Sequence, residues 1–493
     1  MVHVTFETYL LILQKHPQLR MLRQTLNLLK HATMAKKPPK DPLIVVLGAT
    51  GTGKSQLAVD LATRLNGEII NSDAMQMYDG LPIVTNRITV EEQKGVPHHL
   101  LGFVPLDEAP WSVSIFKTKA SQIIKEIRSR GRLPILVGGT HYYTQSLLFA
   151  DSLVSSQDGE EQAQPHREEQ YASEKFPILA GPTEAMLERL REVDPVMAKR
   201  WHQNDRRKIQ RSLEIFLTTG KRASDIYAEQ KQRKVLSKES TLEDSGLPIS
   251  PVASGSTLLF WVHSKSDVLK QRLNSRVEKM LKAGLLDEVK SMNDFLDSQA
   301  EAGIDVDLTR GIWVSIGWKE FVPYLNALKS RTTSPEYLDA LYEVSVERMK
   351  AAHRQYAKRQ VRWIRIKLAS ALSDEDSLDK LYILDSSDVS QFDSAVSGPA
   401  IDTTASFLKG EVPPPPPELS EANKQFLTPV RDSKDLDFRR ECEICNVTAV
   451  VEEQWIRHLQ SRRHRSQEKR QLRNDGSGRF HRKAEDLPVT EIT

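Results

Sequence analysis

The chain has 493 residues, enough for two to four domains, and its 39% hydrophobic and 27% charged residues are the profile of a soluble protein. A formal net charge of +3 leaves it nearly neutral, so affinity for nucleic acid has to come from local basic patches. Its two cysteines suggest a reducing compartment, the apolar run Tyr9 to Leu13 is far too short for a membrane span, and no internal repeat is visible.

Residues 1–40 precede the first predicted strand. They hold one acid, Glu7, against Lys15, Arg20, Arg23, Lys30, Lys36, Lys37 and Lys40, and Leu19, Leu22, Leu26 and Leu29 share a helical face. The pattern is that of a mitochondrial presequence poor in Arg and Ser. Met34 offers a second start just upstream of the core. Mitochondrial and cytoplasmic or nuclear forms are therefore expected.

Leu43-Ile44-Val45-Val46-Leu47 is an apolar run of strand length. Gly48-Ala49-Thr50-Gly51-Thr52-Gly53-Lys54-Ser55 follows it and fits GxxxxGK[ST] in full. The next segment, to Leu65, reads as a helix with Leu57, Leu61 and Leu65 on one face. Strand, loop and helix are the context of a phosphate loop. Backbone N–H groups of Gly48, Thr50, Gly51, Thr52 and Gly53 converge on anionic oxygens at a helix N-terminus. Lys54 adds a mobile cation and the Ser55 hydroxyl is the expected ligand of Mg²⁺. Which phosphate compound is bound does not follow from the loop.

Glu68 to Ser72 reads as a second short strand ending at Asp73. Ligands of open α/β sheets gather at the C-terminal ends of strands, which brings Asp73 toward the phosphate loop. An ordinary helix-capping Asp fits that position equally well.

Further segments follow in a definite order. They are Val96-Pro97-His98-His99-Leu100-Leu101, Gly131 to Tyr143 (GRLPILVGGTHYY), Asn204 to Glu214 (NDRRKIQRSLE), Leu269 to Val289, Ile316-Gly317-Trp318-Lys319-Glu320-Phe321, and Arg354 to Gln360. Together with the phosphate loop and the Asp73 segment, this series resembles the tRNA dimethylallyltransferases over roughly residues 41–365. Ala74, Asn86-Arg87, Val314 and His353 depart from the residues common in that family.

The resemblance implies an α/β fold: a P-loop NTPase-like parallel sheet core with an inserted helical domain and a small zinc finger. It implies transfer of a dimethylallyl group from dimethylallyl diphosphate to N6 of the adenine 3′ of the anticodon in tRNA. By position in the family, Asp73 is the general base, Thr140 hydrogen-bonds the donor's bridging oxygen or the base, and Arg276 binds diphosphate, with Arg272 as a second candidate. A carboxylate suits the chemistry, since the adenine amine is a weak nucleophile and must lose a proton. Reaching it requires the base to leave the stack.

The acceptor side is read from basic segments. Arg354, Gln355, Lys358 and Arg359 lie in a basic run with Tyr356 and Trp363 interleaved, suited to phosphates and base stacking. Asp205-Arg206-Arg207 with Arg211, and Gln76, are further tRNA-contact candidates. A solvated helix face is the alternative for both basic runs.

The chain then divides as 41–150 (first part of the core), 151–254 (inserted helical domain, helical from Thr183 to Tyr227), 255–369 (second part of the core and basic helix), 370–437 (a Ser/Asp-rich flexible linker with Pro413 to Pro417), 438–475 (finger) and 476–493 (tail). Cys442 and Cys445 with His458 and His464 form C-x2-C-x12-H-x5-H, the spacing of a closed tetrahedral Zn²⁺ site. Val450 and Trp455 are its expected packing residues. Arg457, Arg462, Arg463, Arg465, Lys469, Arg470 and Arg473 make it basic, fit for RNA or for a protein partner.

Three rival readings stay open from sequence: a transferase acting on free adenine nucleotides, a nucleotide kinase or NTPase, and a non-catalytic RNA-binding protein. A monomer is expected.

Overall fold

The computed structural model describes residues 37–108, 110–149, 175–229, 232, 251–252, 254–330, 333–416, 440–445, 447–449 and 452–474. Residues 1–36 of the predicted extension, the acidic loop at 155–174, the segment 233–250 and Val450 lie outside them.

In chain order the elements are β1 (Leu43–Gly48), α1 (Lys54–Leu65), β2 (Gly67–Asn71), β3 (His98–His99), α2 (Val113–Ser129), β4 (Leu133–Val137) and α3 (His141–Leu148). Then come α4 (Thr183–Val193), α5 (Pro195–Arg200) and α6 (Arg206–Thr219). The chain continues through β5 (Thr257–His263), α7 (Ser266–Lys282), α8 (Leu285–Glu301), α9 (Trp318–Lys329), α10 (Pro335–Trp363), α11 (Ala369–Asp374), β6 (Leu381–Asp385) and α12 (Gly398–Lys409). It ends in β7 (Arg440–Cys442), β8 (Val447–Ala449), α13 (Glu452–Leu459) and α14 (Arg462–Asn474). Among the described residues no helix is long and apolar enough to cross a membrane.

The chain divides into two compact units, one of residues 1–155 with 247–431, the other of 156–246 with 432–493. The first holds a six-stranded sheet in the order β3-β2-β4-β1-β5-β6 with every pair parallel. Strand alternation sorts β1 between two faces: Leu43, Val45 and Leu47 enter one apolar cluster, Ile44 and Val46 the other. Phe116, Ile124 and Ile127 of α2 cover the first face, and Leu57 and Leu61 of α1 with Ala400 and Phe407 of α12 cover the second. Helices on both faces are what an all-parallel sheet requires, and they explain why the central strands β1 and β4 read as unbroken apolar runs. The three strands β2, β4 and β1 are neighbours, so the turns after them meet at one edge of the sheet.

The sequence reading of 370–437 as a flexible linker is corrected over 370–416. Leu381–Asp385 is the sixth strand, paired in parallel with β5 from Leu259 to His263. Composition misled here: four apolar residues, Leu381 to Leu384, are diluted by the Ser and Asp around them. The segment that follows packs onto the phosphate loop. Phe392 occupies the space where a Cβ on Gly53 would point, and Ser397 Oγ donates to Asp60 Oδ2 of α1 at 2.7 Å.

In the second unit, the predicted helical stretch from Thr183 is broken by buried Asp194. Its Oδ1 accepts the Met197 N–H and its Oδ2 the Ser224 N–H, fastening the turn between α4 and α5 to the residues after α6.

Candidate active site and metal centre

The site is built where β1, β2 and β4 end. Gly53 has φ 94° and hands the loop into α1, a left-handed conformation that glycine takes without strain. Thr52 Oγ1 donates to Ala49 O at 2.9 Å and Lys54 Nζ to the same carbonyl at 2.9 Å, which folds the loop into a cup. Burial lowers the Lys54 pKa to about 8, with Asp73 opposing the shift and Arg276 adding to it.

Asp73 stands two residues beyond β2. Its backbone N–H donates to Asn71 Oδ1 at 3.0 Å, and its Oδ1 accepts the Met75 N–H at 3.2 Å. Burial raises its pKa above the usual aspartate value, against the Lys54 charge and backbone N–H groups of Met75, Gly139 and Gln76. A buried carboxylate with a raised proton affinity beside a lysine is equipped to take a proton.

Thr140 follows β4 and occupies the N-cap position of α3, yet its side chain caps nothing there. Its Oγ1 instead accepts the Ala74 N–H at 2.9 Å, so the turns after β2 and β4 are stitched together. The tight approach depends on glycine: a Cβ on Gly139 would lie 2.5 Å from Gln360 Nε2 and 2.8 Å from Asp73 Oδ2.

Two helices close on the loop. Arg276 of α7 donates from Nη1 to Thr50 Oγ1 at 2.6 Å, and burial lowers its pKa to about 10, leaving it charged. Gln360 of α10 accepts the Thr50 N–H on Oε1 at 2.8 Å and donates from Nε2 to Gly139 O at 3.1 Å. The structure thus brings together Gly48 to Ser55, Asp73, Thr140 and Arg276.

Other predicted contact residues hold the fold. Arg272 donates to Ser386 O at 2.6 Å and Ser387 O at 2.9 Å, both from Nη2, clasping α7 to the turn after β6. Arg206 reaches the Gly181, Leu179 and Ala180 carbonyls, and Asp205 caps α6 by accepting the Lys208 N–H. Arg354 donates to Asn274 Oδ1 at 2.7 Å. Gln76 donates to the Asn86 carbonyl at 3.1 Å, and Arg211 pairs with Glu214 at 3.0 Å. Gln355, Lys358 and Arg359 are exposed on α10, Arg359 lying over the Tyr356 ring, and Arg207 is exposed on α6.

Sequence reasoning missed Gln360, His141 and Phe392. Gln360 had a signal: with His353 and Ala357 it lies on the buried side of α10, beneath the basic residues that drew attention.

In the second unit, the ligand atoms of Cys442, Cys445, His458 and His464 all lie within 4.8 Å of one another. His464 Nδ1 is 3.5 Å from Cys442 Sγ and 3.4 Å from Cys445 Sγ. Tetrahedral zinc with ordinary bonds to sulfur and nitrogen sets that edge at about 3.6 Å. The residues fit Zn²⁺. Trp455 lies against His458, and Arg462, Lys469 and Arg470 are exposed.

The chain matches the family model described as IPP transferase over residues 76–367, and that of a C2H2-type zinc finger over residues 440–464. It is 37% identical over 443 residues to a tRNA dimethylallyltransferase of Schizosaccharomyces pombe, with 86% of this chain and 94% of that protein covered. It is 35% identical over 447 residues to a tRNA dimethylallyltransferase of Saccharomyces cerevisiae, with 87% and 93% covered. A solved structure of a eukaryotic dimethylallyltransferase acting on tRNA superposes with a TM-score of 0.69 at 33% identity, covering 88% of this chain and 98% of that one.

Proposed function

The chain belongs to the IPP transferase family of tRNA dimethylallyltransferases, and from that premise we propose how it works: dimethylallyl diphosphate sits on the phosphate loop and tRNA presents an adenine to Asp73. The chain is a prenyltransferase that modifies tRNA. The acceptor is N6 of the adenine 3′ of the anticodon.

The observation that carries the reading is the meeting of Asp73, Thr140, Arg276 and the phosphate loop at the ends of three adjacent strands. The N6 lone pair forms a bond to C1 of the donor. The C1–O bond breaks and its electron pair leaves with the diphosphate. Asp73 takes the proton released from N6. Lys54 and Arg276 oppose the charge that builds on the leaving group. The Thr140 hydroxyl accepts from Ala74, which leaves its own proton for the bridging oxygen.

Mg²⁺ suits the same loop, because Ser55 lies in the first turn of α1 directly after Lys54 and its hydroxyl has no hydrogen bond among the described residues. When bound, the cation would neutralise part of the diphosphate charge. The exposed face of Gln355, Lys358 and Arg359, and the basic finger helix, are the proposed tRNA contacts.

The test offers labelled dimethylallyl diphosphate to the protein with an anticodon stem-loop or with AMP. Label on the stem-loop, lost when the adenine 3′ of the anticodon is replaced, is the expected result. Label on AMP alone would assign the chain to free nucleotides instead.

A further inference from the structure

His141 is 4% exposed and neither of its ring nitrogens has a hydrogen-bond partner. It is the first residue of α3, directly after Thr140. Its ring stacks on Trp363 at 4.9 Å between centroids, with 19° between planes. Burial, with the Lys54 charge in second place, lowers its pKa to about 3, so it is neutral and lies within reach of the phosphate-loop lysine's field. Leaving a buried polar group without a partner is costly, and such a group in a folded protein calls for an explanation.

The backbone around it points the same way. The first N–H groups of a helix have no partner within it and are normally capped by a side chain. Here the N-cap residue is Thr140, a good capping type, and its hydroxyl is engaged by Ala74 instead. The His141 and Tyr142 N–H groups therefore have no acceptor among the described residues. Two backbone donors, the Thr140 hydroxyl proton and a neutral imidazole N–H are left without acceptors in one turn. Donors gathered without acceptors at a helix N-terminus are complementary to an anion.

We infer that the first turn of α3, with the His141 ring, is the second half of the diphosphate site, completing the one that the phosphate loop begins. The inference rests on the donor reading above and deepens it. The chemistry recognised is a diphosphate, in the bound donor or as free pyrophosphate. The imidazole N–H gains an acceptor only when that ligand is present, and the Trp363 stack fixes the plane of the ring meanwhile.

The test measures binding of inorganic pyrophosphate with Mg²⁺ to the full chain by calorimetry, for wild type and His141→Phe. Phenylalanine keeps a flat ring against Trp363 and removes both nitrogens. The variant is expected to melt no lower than wild type, because an unpartnered polar group is gone, while its pyrophosphate affinity falls by about tenfold to a hundredfold. Affinity for the anticodon stem-loop is expected to stay unchanged. Pyrophosphate affinity unchanged in a folded His141→Phe overturns the inference alone. So does a loss of stem-loop affinity in its place, which would turn His141 toward the acceptor. Failure of the wild type to bind pyrophosphate would sink the donor reading as well. Should His141→Phe not fold, nuclear magnetic resonance of the wild-type His141 ring decides. Its resonances shift as pyrophosphate is added if the inference holds, and stay still if it does not.

Discussion

Gln360 Oε1 accepts the Thr50 N–H at 2.8 Å, a bond that spans 310 positions of sequence and fixes the phosphate loop to the long helix α10. The same carboxamide donates to Gly139 O, so one side chain joins the donor loop to the turn beside Asp73. Gln360→Met keeps the volume and removes both bonds. It leaves the Thr50 N–H without a partner, at about 1–3 kcal/mol, and Gly139 O with the Tyr356 hydroxyl alone at 3.5 Å. The expected result is a lower melting temperature and a raised KM for dimethylallyl diphosphate. A variant as stable and active as wild type would show that the bridge holds nothing in place.

Two titrations bound the pH range of activity. Asp73 accepts a proton only when ionised, and burial has raised its pKa, so kcat/KM should rise with pH through a value above that of an ordinary aspartate. Lys54 is a cation only below its pKa of about 8, so kcat/KM should fall above that pH in the free enzyme. A bell-shaped profile is expected. In Asp73→Asn the acid limb disappears along with most of the rate, whereas an acid limb kept in the variant would assign it to another group.

Glu68 tests the scaffold apart from the chemistry. Its buried carboxylate meets Arg130 at 2.8 Å, Arg132 at 3.3 Å and His99 at 2.6 Å. Burial alone would raise its pKa, but hydrogen bonds from Arg130 and His99 and their charges prevail and lower it. A depressed folded pKa stabilises above the unfolded value, near 4.3 for a glutamate, and the contribution is lost as pH falls through the folded value. Glu68→Gln should cost about 1–3 kcal/mol at pH 7 in urea unfolding, narrowing below about pH 4. An equal difference at both pH values would contradict this.

The finger should depend on its metal. Metal binding is folding energy for so small a unit, and one Zn²⁺ per chain is expected at Cys442, Cys445, His458 and His464. A chelator should unfold residues 440–474 in hydrogen exchange and leave the sheet protected. The expected effect on catalysis is a higher KM for tRNA with kcat unchanged. A chelated protein with the finger still protected would rule out zinc as its source of stability.

Legibility in the sequence followed the range of the interactions. The phosphate loop and the finger were readable because each is a local pattern, Gly48 to Ser55 in one turn and four ligands at fixed spacing, whereas Asp73 was readable only through the ordered series of segments around it. The strand β6 was not readable, because Leu381 to Leu384 become a strand only by pairing with Leu259 to His263, far back in the chain. Arginines were the least legible. Arg276 and Arg272 lie one turn apart on α7, yet one reaches Thr50 and the other the carbonyls of Ser386 and Ser387. Which acceptor faces each guanidinium is set by the packing of β6, which the local sequence does not carry.

The most direct test of the account compares wild type with Asp73→Asn for transfer of labelled dimethylallyl to an anticodon stem-loop, with stem-loop binding measured alongside. The account predicts a fall of about 10² to 10⁴ in kcat with RNA affinity retained. Transfer at the wild-type rate in Asp73→Asn would contradict it and remove the base from the mechanism.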